Sequence, residues 1–337
     1  MDRVQEDIQS IIEKKELFDR YSNATFLITG ATGLIGSMLI KTLVAASEKH
    51  GLELKIIGQI RSREKAQNVL GDVFDKVELV FNDDVFADYI IHTVSPTTSK
   101  FFIEHPVETI KVSVESTISI LEVAKKSNAK LVYLSSMEQY GVPYENGQKM
   151  TEEKVGIIDH LNVRSSYSES KRLCECLCAS YAAEYGVNVK IARLAQTVGA
   201  GVPLSDNRMP MQFARAVVEG TDIILHTEGK SISNFVYLTD AISGILTILE
   251  NGVPGQAYNV CNDKETRSVR EIAELVCQEV AQDRITVKIQ KKENMGYAPD
   301  VAMYLDSGKL RTLGWNAEVG MREAYRRLVD YLNNRVV

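Results

Sequence analysis

The sequence predicts an α/β fold built on a doubly wound parallel sheet, with a smaller α/β lobe toward the C-terminus. Three observations carry this. Apolar strand-like runs alternate with helix-period segments up to residue 198, a buried run enters a glycine-rich turn and then a helix near the start, and the pattern loosens past Gly199. Parallel neighbours need crossover connections, and right-handed helical crossovers put helices on both faces of such a sheet.

Val4, Ile8, Ile11 and Ile12 fall at helical spacing, so residues 3–18 are expected to form an amphipathic helix ahead of the core. Phe26-Leu27-Ile28-Thr29 then reads as a buried strand ending at Gly30. Gly33 and Gly36 follow at three-residue intervals, and a helix-period run extends from Leu34 to Val44. Gly30 permits the turn, Gly33 lets backbone N–H groups approach a pyrophosphate, and Gly36 lets helix and strand pack closely. The helix N-terminus turns its positive dipole end toward the anion. Gly30, Thr32, Gly33, Leu34, Ile35 and Gly36 are therefore candidate dinucleotide contacts in a Rossmann-type fold. Leu54 to Gly58 reads as the second strand. An acid at its end would grip the ribose hydroxyls of NAD, yet Gly58 and Gln59 stand there, followed by Arg61, Ser62 and Arg63. Arg61 suits either a 2′-phosphate or the adenine face, so NAD and NADP both stay open.

Val77 to Phe81 and Tyr89 to Val94 read as short buried strands. Asp83 or Asp84 follows the first and is a candidate adenine contact. Ser95-Pro96 breaks the second at the carboxyl edge of the sheet, where ligands bind. Pro106 is placed to open a helix reaching about Ser127. Lys130 to Leu134 is the next strand, with Ser136 leaving its end, then a long helix over 165–185 and a strand from Val189 to Ala195. A Gly- and Pro-marked loop over 199–210 precedes a helix near Gln212–Glu219 and two more at about 268–280 and 320–333. The expected division is an N-terminal helix in 1–20, a dinucleotide-binding domain over 21–198 and a substrate lobe over 199–337 partly interleaved with the core.

Lys and Arg number 39 against 45 Asp and Glu, a net charge of −6 with no basic run, which speaks against nucleic acid or an anionic membrane as partner. Met1 to Arg20 is charged throughout and lacks the apolar core of a signal peptide, and no apolar run approaches a membrane span, so a cytoplasmic location is expected. Cys174 and Cys178 share a helical face while Cys176 points away, a poor arrangement for a tetrahedral metal site. The histidines are scattered, and no metal site is expected.

Tyr167-Ser168-Glu169-Ser170-Lys171 sets Tyr and Lys four residues apart on one helix face. A tyrosine acts as a base near neutrality only if its pKa falls well below about 10, and a nearby ammonium favours the phenolate. Ser136 is placed to hydrogen-bond a substrate hydroxyl. The expected core of the chemistry is thus Ser136, Tyr167 and Lys171, with Lys171 also within reach of a nicotinamide ribose.

These motifs resemble the extended short-chain dehydrogenase/reductases, in the nucleotide-sugar epimerase/dehydratase group. The resemblance rests on Gly30-x-x-Gly33-x-x-Gly36, Ser136 ahead of Gly141, Tyr167-x-x-x-Lys171, Arg193 closing a strand, Phe235 to Asp240 and Leu313-Gly314-Trp315. Ser95-Pro96 and the run Arg164-x-x-Tyr167-x-Glu169-x-Lys171-Arg172-x-x-Glu175 are most similar to UDP-glucuronate decarboxylases. It implies NAD or NADP, a nucleotide-diphosphate sugar substrate and a homodimer formed through the helices at 106–127 and 165–185. Tyr167 would take the C4 hydroxyl proton, Ser136 polarise the oxygen and Glu138 act at C5. It further assigns Ser95, Tyr167, Lys171 and Arg193 to the cofactor, and Ser95, Thr97, Met137, Gln196 and Arg208 to the substrate. Dehydratases of the group carry an Asp-Glu pair where this chain has Met137-Glu138, and Met137 donates no proton. Ser233 replaces an arginine of the decarboxylases, and Tyr297-Ala298-Pro299-Asp300 lacks the usual diphosphate arginine, leaving Arg208 and Arg215 as candidates to compensate.

Overall fold

A computed structural model describes residues 2–82, 85–96, 98–291 and 300–335. The sheet is built from seven parallel strands in the order β3 (Glu78–Val80), β2 (Lys55–Gln59), β1 (Thr25–Thr29), β4 (Tyr89–His92), β5 (Lys130–Ser136), β7 (Asn188–Leu194) and β12 (Ala257–Val260). The order reverses at β1, which pairs with β2 on one side and β4 on the other. That switch point opens a crevice beyond the carboxyl ends of β1 and β4. The expected doubly wound α/β sheet is present.

Alternation within the strands assigns side chains to two cores. Phe26 and Ile28 face one, shared with α1 (Arg3–Ile12), α2 (Leu34–His50) and α8 (Leu238–Asn251). Leu27 faces the other, where α5 (Pro106–Ser127) and α6 (Ser166–Tyr185) pack with Cys174 and Cys178. Those two cysteines are buried and Cys176 is exposed, and no group of residues able to hold a metal occurs among the described residues. The helix expected over 3–18 ends at Ile12 and continues as a turn of 3-10 helix at Lys15–Leu17. Buried Asp7 on α1 accepts a bond from Tyr237 Oη at 2.6 Å and pairs with Arg327 at 3.1 Å, tying α1 to the C-terminal helix.

The smaller elements are α3 (Arg63–Leu70), α4 (Ser99–Glu104), α7 (Met209–Glu219), α9 (Val269–Leu275), α10 (Gly308–Arg311) and α11 (Met321–Asn333). Short pairs join β6 (Lys149–Met150) to β15 (Tyr304–Leu305), β8 (Gln196–Val198) to β11 (Phe235–Tyr237), β9 (Ile223–Leu225) to β14 (Val287–Ile289) and β10 (Ile232–Ser233) to β13 (Arg267–Ser268). One helix departs from the sequence reading. Helix α8 was not expected, although Thr239, Asp240, Ser243 and Thr247 recur at helical spacing along it; all four are buried with the rest of Leu238 to Leu249. Strand β12 returns from the C-terminal part to close the main sheet beside β7, so part of 199–337 lies in the core. No helix among the described residues is long and apolar enough to cross a membrane.

Candidate active site

The turn after β1 is built by close backbone approach. Gly30 has φ +63°, and a Cβ there would lie 2.5 Å from Thr93 Oγ1. A Cβ on Gly36 would lie 2.4 Å from the Gly30 carbonyl oxygen. Thr93 Oγ1 donates to Thr29 O at 2.7 Å, pinning the end of β4 against this turn. Exposed Gly33 is the N-cap of α2 and offers no side-chain cap, so the first N–H groups of a 17-residue helix are left for an external acceptor. Thr32, Leu34 and Ile35, all partly buried, line the same entry. The cradle fits a dinucleotide pyrophosphate. Gly36→Ala forces carbonyl and methyl apart and is expected to weaken NAD and NADP binding at least about tenfold, roughly 1.4 kcal/mol, by calorimetric titration. Undiminished affinity would remove the cradle from the site.

Arg61 is exposed two residues past β2, while Ser62 caps α3 and Arg63 lies over the Phe74 ring at 5.2 Å. Arg61 is thus the exposed arginine of this pair that does not lie on the Phe74 ring, and the end of β2 carries no carboxylate. Asp83, Asp84 and Thr97 lie outside the described residues, as do Tyr297, Ala298 and Pro299; Asp300 accepts a bond from Ser231.

At the carboxyl end of β5 and the start of α6 the structure brings together Ser95, Ser136, Glu138, Tyr167 and Lys171. Tyr167 is buried, its ring stacked on Phe102 of α4 with centroids 4.4 Å apart and planes at 8°. Burial pushes its phenol up to about 12; the neighbouring Ser136 and Ser95 hydroxyls pull it down, and the Glu138 charge pushes it further up. Ser95 Oγ is buried with no partner of hydrogen-bond geometry, so its pull on Tyr167 acts across a longer contact. Ser136 Oγ accepts from the Glu138 N–H at 3.2 Å, which leaves the serine proton free for the phenol or for a substrate oxygen. Lys171 Nζ is buried 5.7 Å from the centre of the Tyr167 ring and donates to Leu134 O at 2.7 Å. Burial brings its pKa down to about 8.

These values correct the expectation that a nearby ammonium depresses the tyrosine, because burial outweighs it and raises the phenol. Lys171 Nζ donates to a backbone carbonyl and burial lowers its pKa, while Phe102 and the surrounding walls strip the phenol of water.

Arg193 requires a second correction. It was expected at the cofactor, but its guanidinium pairs with Glu175 at 2.6 Å and donates to Tyr140 Oη and Glu152 O at 2.9 and 2.8 Å. Burial works against its charge, yet the Glu175 and Tyr140 bonds outweigh it and hold the pKa above the ordinary range. With Ser135 Oγ also on Glu175 at 2.5 Å, this cluster fastens β5, β7 and α6 together behind the site.

The substrate candidates divide. Met137 is half-buried against the core, at the edge of the cluster. Gln196 and Arg208 line one cleft with Leu34, Asp206 and Met211. Arg208 is taken up by Asp206, with Nη2 2.8 Å from the carboxylate. Arg215 donates to Leu204 O and Asp206 O, which makes it a brace for the 199–210 loop, not a free phosphate ligand. The sequence reading did not single out Phe102, whose role depends on the α4 fold, or Arg164 as a site residue. Arg164 Nη1 lies 3.2 Å from Glu138.

Residues 26–261 match the model of the NAD dependent epimerase/dehydratase family. The chain belongs to this family. Among its relatives, UDP-glucuronic acid decarboxylase 6 of Arabidopsis thaliana is 30% identical over 307 residues, covering 90% of this chain and 87% of that protein. An epimerase from Methanothermobacter thermautotrophicus superposes with a TM-score of 0.78 at 18% identity, covering 95% of each chain. The dTDP-glucose 4,6-dehydratase of Bacillus anthracis, crystallised in complex with NAD, gives 0.74 at 18% identity, covering 93% of this chain and 97% of that one. These two share the fold, and the family membership makes this chain a nucleotide-sugar-modifying enzyme that depends on NAD or NADP.

Proposed function

We propose that the protein acts on a nucleotide-diphosphate sugar by a redox-neutral cycle, oxidising C4, altering C5 or C6 and reducing C4 again, with loss of CO2 from UDP-glucuronate as the leading outcome. The observation that carries this choice is Met137, set between Ser136 and Glu138. Expulsion of a C6 hydroxyl calls for a proton donor, whereas CO2 departs from a 4-keto uronate without one. The relatives named decarboxylases point the same way.

A nicotinamide dinucleotide, when bound, supplies the acceptor and later the donor of the C4 hydride. The chain supplies the rest. Gly30, Gly33 and Gly36 with the first N–H groups of α2 hold the pyrophosphate, and Ser95 and Lys171 face the nicotinamide end. Tyr167 takes the C4 hydroxyl proton, and Ser136 donates to the same oxygen. Loss of CO2 breaks the C5–C6 bond, leaves its electron pair in the C4–C5 enolate, and requires C5 to gain a proton; Glu138 handles the proton at C5. Tyr167 then returns its proton to the C4 oxygen.

Incubation with a panel of nucleotide sugars followed by mass spectrometry tests the reading. CO2 release is expected with UDP-glucuronate, loss of water would indicate dehydration, and unchanged mass with altered stereochemistry would indicate epimerisation. Absence of turnover across the panel would overturn it. Open Arg61 favours one further reading, a 4-keto-sugar reductase consuming NADPH, which stoichiometric loss of reduced-cofactor absorbance would reveal.

The homodimer belongs to the same proposal. Val107, Ile110 and Ile118 on α5 and Leu173 on α6 form an exposed apolar face, a pattern that marks an interaction surface. Light scattering is expected to give twice 37.6 kDa, and Ile110→Glu with Ile118→Glu is expected to give the monomer mass. A wild-type monomer would remove the interface.

A further inference from the structure

We propose that Arg164 is a positioning residue that holds the Glu138 carboxylate in its working orientation; the inference rests on the role given to Glu138 above. Arg164 sits on the turn Val163–Ser165, three residues ahead of Tyr167, and its own N–H donates to Asn162 Oδ1 at 3.0 Å, so the turn is fixed before α6 begins. From there Nη1 reaches Glu138 Oε2 at 3.2 Å, and Nη2 approaches Ser99 Oγ at 3.5 Å. One guanidinium thus spans the three segments that wall the site: the end of β5, the entry to α6 and the start of α4.

Glu138 needs such a holder. It lies on a single turn, Met137–Tyr140, with its backbone fixed by Ser136, and among the described residues Arg164 is the one group bonded to its carboxylate. Both side chains are about one-third exposed, so the pair faces the open edge where a sugar enters and is not buried as a structural tie. A carboxylate released from this contact spreads over several rotamers, and the aimed fraction falls. The planar fork keeps unused N–H donors while bound to Glu138, so a sugar can enter without dismantling the pair.

Single turnovers with UDP-glucuronate, followed by reduced-nicotinamide absorbance, test the assignment. Arg164→Met is expected to form the reduced species with wild-type amplitude and to lose it about 10- to 100-fold more slowly, with KM little changed. Arg164→Lys is expected to recover part of the rate, because it restores charge without the fork. Should the Met variant fold poorly by thermal melting, Arg164→Gln must show the same slow decay. Wild-type decay in both uncharged variants, or a raised KM with unchanged kcat, overturns the assignment and leaves the function standing. A wild-type protein that forms neither the reduced species nor product overturns both.

Discussion

Replacement of Tyr167 by Phe is expected to slow oxidation of the sugar by about 10³-fold, within the range for loss of a positioned acid–base group, while NAD or NADP still binds. The packing argument makes this a clean change. The ring rests flat on Phe102, and phenylalanine keeps that contact, so only the hydroxyl beside Ser136 and Ser95 is removed. Stopped-flow absorbance of the reduced nicotinamide gives the rate, and calorimetry the affinity. The pH profile adds a sign. With the phenol pushed up to about 12, the base form becomes more abundant as pH rises, so wild-type oxidation is expected to accelerate with pH above neutrality. The Phe variant lacks this rise. Wild-type rates in Tyr167→Phe would mean that another group takes the proton.

Glu138→Gln is expected to lower turnover by about 10²- to 10⁴-fold by a different route. Glutamine keeps the shape and a hydrogen bond to Arg164 but cannot exchange a proton at C5. Oxidation then proceeds, reduced nicotinamide accumulates, and product formation stalls. The two variants are distinguished by one trace, flat for Tyr167→Phe and risen without decay for Glu138→Gln. Normal turnover in the Gln variant would remove Glu138 from the C5 step.

The parts of this molecule that were readable in the chain are those whose causes are local. The turn from β1 into α2 follows from three glycines and an apolar run, and α5 from Pro106 and a regular stripe; α2 starts at Leu34 as expected but runs on past Val44 to His50, while α5 spans the expected Pro106–Ser127. The Tyr167 and Lys171 pairing on one face follows from their spacing. What stayed hidden depends on partners distant along the chain. Arg193 closes a strand as expected, but Glu175, which claims it, lies on α6, and nothing in the strand reveals that. Arg208 and Arg215 read as free cations until the loop at 199–210 folds around them. The upward shift of Tyr167 was out of reach for the same reason, since it arises from Phe102 and the walls that exclude water. Helix α8 is the exception, since Asp240, Ser243 and Thr247 repeat at helical spacing and its period was there to read.

The flat stacking of Phe102 on Tyr167 reaches beyond the acidity of the phenol. A ring clamped on its face cannot swing to meet an incoming alcohol, so the alcohol must come to it, edge-on. The face that Phe102 covers is closed to any incoming group, so approach to the phenol oxygen is confined to the side left uncovered.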